Sequence, residues 1–120
     1  MVEEPWSRYD QAYKRIHNAI LPPNRATKFT VNLSVERSDK SLTAEGLIPT
    51  GKTFLYLTVL KVGNGAWSIK QVFDDGSTLA YGSDELADGY LMERRFVDIL
   101  FTNASQSVVV NPKFLIEWKE

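Results

Sequence analysis

Between Phe29 and Val35 the chain alternates strictly: Phe29, Val31, Leu33 and Val35 are apolar, and Thr30, Asn32, Ser34 and Glu36 between and after them are polar. A period of two is that of a strand with one buried face. Nearer the N-terminus the period changes. Trp6, Tyr9, Tyr13, Ile16 and Ile20 fall at spacings of three, four, three and four, which is one face of a helix. Pro5 suits the first turn, Ser7 and Asp10 offer a cap with an acidic third position, and Pro22-Pro23 stops the run, so a helix is predicted over 5–21.

Downstream the pattern predicts strands separated by turn signals. Ser38-Asp39-Lys40-Ser41 reads as a polar turn with a return strand over Leu42–Ile48, and Pro49-Thr50-Gly51 as the next turn. Thr53–Val62 is rich in β-branched and aromatic residues. Asn64-Gly65 predicts a hairpin pairing that strand with Ala66–Phe73, and Asp75-Gly76 predicts a second hairpin into Ser77–Tyr81. Ser83–Leu86 predicts a short helix ended by Gly89. Tyr90–Phe101 satisfies helix and strand patterns alike, Val108–Val110 reads as a short strand, and Phe114–Trp118 as a terminal one. The expected fold is therefore α+β: an N-terminal amphipathic helix packed on a curved antiparallel sheet of about five to seven strands in meander order. A small open barrel closed by the helix fits the same pattern.

Composition narrows this little. The 120 residues suit one domain, 1–120, able to bury a core without staples. A net charge of -1, from 14 basic and 15 acidic residues, disfavours a role built on phosphate neutralisation, so no nucleic-acid partner is expected. There is no cysteine and a single histidine, His17, which removes thiolate chemistry and multi-histidine metal sites. The acidic start, Met1-Val2-Glu3-Glu4-Pro5, lacks the apolar run of a signal peptide, and no stretch reaches membrane-spanning length. A cytoplasmic protein with no membrane role is the expectation.

Gly46-Leu47-Ile48-Pro49-Thr50-Gly51-Lys52-Thr53 satisfies the phosphate-binding rule G-x-x-x-x-G-K-[ST]. That loop needs a helix behind it to aim backbone N–H groups at phosphate. The residues after Lys52 prefer strand, and Pro49 deletes a donor, so a turn between strands is the better reading. His17 lies beside the apolar face of the predicted helix with no serine motif to serve. Asp74, Asp75, Asp84, Glu85 and Asp88 form a loose acidic stretch that turn chemistry and a helix start explain without a metal. Asp75-Gly76-Ser77-Thr78-Leu79, Ser83, Leu86, Phe96-Val97 and Val110-Asn111 resemble the order seen in LytTR-type DNA-binding domains over the last third of the chain. Asp98 and Ile99 stand where that family places basic residues, and no family assignment follows.

No catalytic, cofactor-binding or metal-binding residue is singled out. The leading expectation is a non-catalytic binding or regulatory module acting on a protein partner or a small apolar ligand, with self-association as one form of it. Its support is the supply of Trp6, Tyr9, Tyr13, Trp67, Tyr90 and Trp118 for core, pocket or interface. The alternatives are a small enzyme with a carboxylate-based site in a helix-on-sheet cavity, and nucleotide binding at the Gly46–Thr53 loop.

Overall fold

The computed structural model describes residues 23–120. Eight strands run in chain order: β1 (Arg25–Thr30), β2 (Arg37–Ser41), β3 (Phe54–Lys61), β4 (Ser68–Val72), β5 (Thr78–Gly82), β6 (Tyr90–Met92), β7 (Asp98–Asn103) and β8 (Lys113–Trp118). One helical turn, α1 (Leu42–Glu45), follows β2, and a 3-10 turn, Ser83–Glu85, follows β5. The strands form two four-stranded sheets, ordered β1-β8-β3-β6 and β2-β7-β4-β5, with every pairing antiparallel.

This overturns the expected α+β fold. Among the described residues there is no long helix and no helix spread across a sheet; the architecture is a two-layer sandwich of antiparallel sheets. The helix expected over 5–21, and His17 with it, lies outside the described residues. The meander order also fails. Asn64-Gly65 does not turn β3 back upon itself but carries the chain from the first sheet to the second, where β4 pairs with β5 and β7. Gly63 makes that crossing with a positive φ of 83°, and Asn64 is held to the far loop by its N–H on the Val110 carbonyl at 3.0 Å and its Oδ1 on the Val110 N–H at 2.9 Å.

Other expectations hold or shift. The Thr53–Val62 and Phe114–Trp118 strands are β3 and β8, and the Asp75-Gly76 hairpin joins β4 to β5. Ser38–Ser41, expected as a turn, is part of β2, and Leu42–Glu45, expected as strand, is α1. Tyr90–Phe101 resolves as β6, a connection through Phe96 and β7, whereas Val108–Val110 forms no strand.

The facing sides of the sheets make the core. Phe29, Leu57, Val59, Phe114, Ile116 and Trp118 of the first sheet meet Ile69, Ile99 and Phe101 of the second, all buried. Phe114 joins the layers: its ring lies 5.2 Å from Phe29 in its own sheet, 5.3 Å from Trp67 and 6.3 Å from Phe101. Edge-to-face and offset aromatic pairs at such separations add to burial itself, at roughly 0.5–1.5 kcal/mol each. The interior gap that Phe29, Leu42, Ile69, Ile99, Phe101 and Phe114 line has no room for a water-sized sphere.

Candidate functional site

Several of the polar groups singled out by chemistry become structural fixtures. Gly46 closes α1 in the left-handed conformation, and the residues after Lys52 enter β3, so the Gly46–Thr53 loop is followed by a strand and not by a helix. Lys52 pairs with Glu120 through its ammonium, which holds the Glu120 carboxyl below its ordinary range. Asp75 accepts from the Ser77 N–H at 2.9 Å and hydroxyl at 2.5 Å, an Asx turn that lowers its pKa. Glu85 accepts from the Gly82 N–H at 2.8 Å, and Asp88 from the Val62 N–H at 2.8 Å. No group of histidine or acidic side chains among the described residues is placed to hold a metal ion. No described helix is long and apolar enough to cross a membrane.

Two polar arrangements, one on buried Arg37 and one partly buried, serve the frame and were not revealed by sequence patterning. Arg37 is only 8% exposed, and its guanidinium grips both oxygens of Glu45 at 2.6–3.1 Å while donating to the Asn32 and Val35 carbonyls. Asp98 accepts from the Ser41 hydroxyl at 2.5 Å, and Ser41 Oγ in turn accepts from the Ala44 N–H at 3.1 Å as the cap of α1. Gln71, on the inner face of β4, is fully buried, and neither its Nε2 nor its Oε1 meets a hydrogen-bond partner among the described residues.

The chemistry left without a structural task lies along a sheet edge. Each sheet ends in two edge strands, and three of the four carry protection. Charges, bulges and short length are the usual means of refusing another strand. Arg25 and Lys28 stand exposed on β1. β2 carries Asp39 and Lys40 and breaks its register between Arg37 and Lys40, with Asp39 at a positive φ of 46°. β6 is three residues long. β5 has none of these: Thr78-Leu79-Ala80-Tyr81-Gly82 holds no charge and no proline, and pairs with β4 in unbroken register over its five residues.

The orientation of its backbone follows from the ends of that ladder. The Phe73 N–H donates to the Ser77 carbonyl at 2.9 Å, and the Ser83 N–H to the Trp67 carbonyl at 2.8 Å. Bonded and non-bonded pairs alternate along an antiparallel ladder, so Ser77, Leu79, Tyr81 and Ser83 face β4, whereas Thr78, Ala80 and Gly82 aim their backbone groups outward. The Gly82 N–H is taken by Glu85. The N–H and C=O groups of Thr78 and Ala80 meet no described residue.

The side chains beside this edge are large and partly uncovered. Leu79 pairs with buried Gln71 and Tyr81 with buried Ile69, so both point to the inner side of the sheet, yet Leu79 is 42% exposed and Tyr81 half-buried. Tyr90 of β6 is 45% exposed and close enough for its phenol to raise the Tyr81 pKa, an effect secondary to burial and opposed by Arg94. Arg94 lies over the Phe73 ring, 3.6 Å from its centroid, at the start of the hairpin. Acids bracket the strand, with Asp74 and Asp75 before it and Asp84 and Glu85 after it, all exposed. Among the residues named from sequence, Tyr90 lies near Tyr81 of this strand, Trp67 and Trp118 go to the core, and Trp6, Tyr9 and Tyr13 lie outside the described residues. Compared with protein-family models, with curated proteins and with solved structures, the chain matches none.

Proposed function

We propose that this chain is a non-catalytic binding module that takes a protein partner by adding an extended segment of that partner to β5. The observation that carries this is the unprotected edge: an uncharged, regular strand with two residues' worth of backbone donors and acceptors turned to solvent. Strand addition draws affinity from main-chain bonds and specificity from pockets for alternate side chains. Leu79, Tyr81 and Tyr90 supply an apolar shelf beneath the edge for the latter. The lack of cysteine supports a reducing, cytoplasmic setting for such a module. The small-ligand reading has less support among the described residues, where the interior gap between Phe29, Ile69 and Phe101 is too small for water.

Ala80→Pro tests this directly. The substitution deletes an N–H that points away from β4, and proline is tolerated on an edge strand where its N–H would face solvent. The variant is expected to keep its fold, seen as an unchanged circular dichroism spectrum. A random peptide display library is selected against the wild type, and the enriched peptides are measured against both proteins. Enrichment of extended sequences that lose binding to Ala80→Pro supports strand addition. Peptides that bind both proteins equally, or no enrichment at all, overturn it.

A further inference from the structure

Resting on strand addition at β5, we infer that its partner is an extended segment carrying Lys or Arg at both ends of a short uncharged centre, and not a second copy of this chain. A two-fold axis through Leu79 is the one self-pairing that uses every free group, joining Thr78 of each copy to Ala80 of the other. The same pairing brings the hairpin turn carrying Asp74 and Asp75 of each copy beside the 3-10 turn carrying Asp84 and Glu85 of the other, at both ends of the joined strands. Arg94 lies near enough to Asp75 to favour its charged form, one cation beside four carboxylates at each end. Like charges gathered at the ends of a strand pair repel and destabilise it. The acids that oppose self-pairing are, for the same reason, complementary to a strand with basic ends, and they flank a centre that holds no charge of its own. Since both ends of β5 are acidic, charge favours basic residues at both ends of the partner and leaves its direction free.

The probes are three blocked peptides with a common centre: KKTVTVTKK, QQTVTVTQQ and EETVTVTEE. Each is titrated into the full chain while β5 amide resonances are followed by NMR: those of Thr78 and Ala80 in wild type and in the double variant Asp74→Asn/Asp84→Asn, and that of Thr78 in Ala80→Pro, which has no amide proton at position 80. Neither Asp74 nor Asp84 makes a side-chain hydrogen bond to a described residue, so the double variant is expected to fold as the wild type does. The basic peptide is expected to bind about tenfold more tightly than the neutral one, from a few exposed charge pairs of ordinary strength. The acidic peptide is expected to bind more weakly than the neutral one. The double variant should bring the basic and neutral peptides to within about threefold of each other and leave the neutral peptide unmoved. The neutral peptide reports on strand addition alone. If it perturbs Thr78 and Ala80 but charge makes no difference, the basic partner is overturned and strand addition stands. If no peptide perturbs those amides, or all perturb the Thr78 amide as strongly in Ala80→Pro as in the wild type, strand addition itself falls. Sedimentation of the peptide-free chain completes the test: a dimer that Ala80→Pro dissociates would make a second copy the occupant and overturn the inference.

Discussion

Arg37 shows how a charged residue becomes part of a core. Its guanidinium has five N–H donors, and the structure meets four of them with the Glu45 carboxylate and two backbone carbonyls, while the Phe101 ring lies 6.0 Å away. A buried ion pair of this kind adds little net stability against an apolar substitute, but removing one partner strands the other. Glu45 keeps part of its surface in water, which softens the effect, so Glu45→Gln is expected to cost about 1–3 kcal/mol at neutral pH. The pH dependence has a definite sign. The hydrogen bond from Arg37, with its charge, outweighs burial and lowers the Glu45 pKa in the folded chain. A depressed folded pKa contributes stability that is present above the unfolded value and lost as pH falls through the folded one. Urea unfolding at intervals between pH 7 and pH 2.5 should therefore show a decline below the ordinary glutamate range that is shallower in Glu45→Gln. Identical slopes would show that the pair is not what acid breaks. None of this was legible from spacing, since Arg37 and Glu45 fall in segments that read as a strand end and a return strand. Gln71 is the opposite case. A fully buried amide without a described partner costs about 1–3 kcal/mol, and its position on the inner face of β4 shows only once the register is known.

At the scale of elements, local signals were reliable where a run of apolar residues had one period and failed where side chains replaced the ladder. The alternation of Phe29, Val31 and Leu33 does mark buried positions, but β1 stops at Thr30. Beyond it the backbone is satisfied from outside: the Val31 N–H donates to the Pro112 carbonyl, the Leu33 N–H to Asn111 Oδ1, and the Leu33 carbonyl accepts from Asn103 Nδ2. Val35, the next apolar residue in the series, is consequently exposed. The α1 turn had its signs in the sequence, with Ser41 ahead of it and Gly46 behind, and the apolar Leu42, Leu47 and Ile48 outvoted them in favour of strand. The Asn64-Gly65 dipeptide misled for a related reason, because the left-handed residue of this crossing is Gly63, just ahead of it. Gly63 has a positive φ, and a Cβ placed on it would lie 2.5 Å from the Val110 carbonyl oxygen, a backbone atom that no side-chain movement relieves. Gly63→Ala is thus expected to cost about 2–4 kcal/mol. Gly76→Ala serves as its control, having the same sign of φ and open space around its Cβ, and should cost about 1–2 kcal/mol. Equal losses in chemical denaturation would mean that the crossing yields to accommodate the methyl group.

For the molecule as a whole, the order of strands in space is what the chain's pattern could least convey. A half-buried strand looks the same whether it pairs with its neighbour in sequence or with one a domain's length away. β1 pairs with β8, the last strand of the chain, and β8 also pairs with β3, so the C-terminal strand is the second in its sheet and not its edge. Without β8, the first sheet is reduced to β3 with the three-residue β6, and β1 has nothing to pair with. The second sheet keeps its order but loses Phe114, Ile116 and Trp118 from the surface it covers, exposing Trp67 and Phe101. A chain ended at Pro112 is therefore expected to be unfolded, with no cooperative melting transition. The full chain carrying Phe114→Ala, which removes one ring from the same junction, should fold but lose about 3–5 kcal/mol. Pairing across nearly the full length of the chain also predicts slow folding, in milliseconds to seconds, as long-range contacts must form before either sheet is complete. Stopped-flow refolding followed by tryptophan fluorescence measures this, because Trp67 and Trp118 both enter the core. A chain ended at Pro112 that still melts cooperatively would show that the second sheet and its crossing loops form a folding unit alone, and that β8 is added to a frame already built.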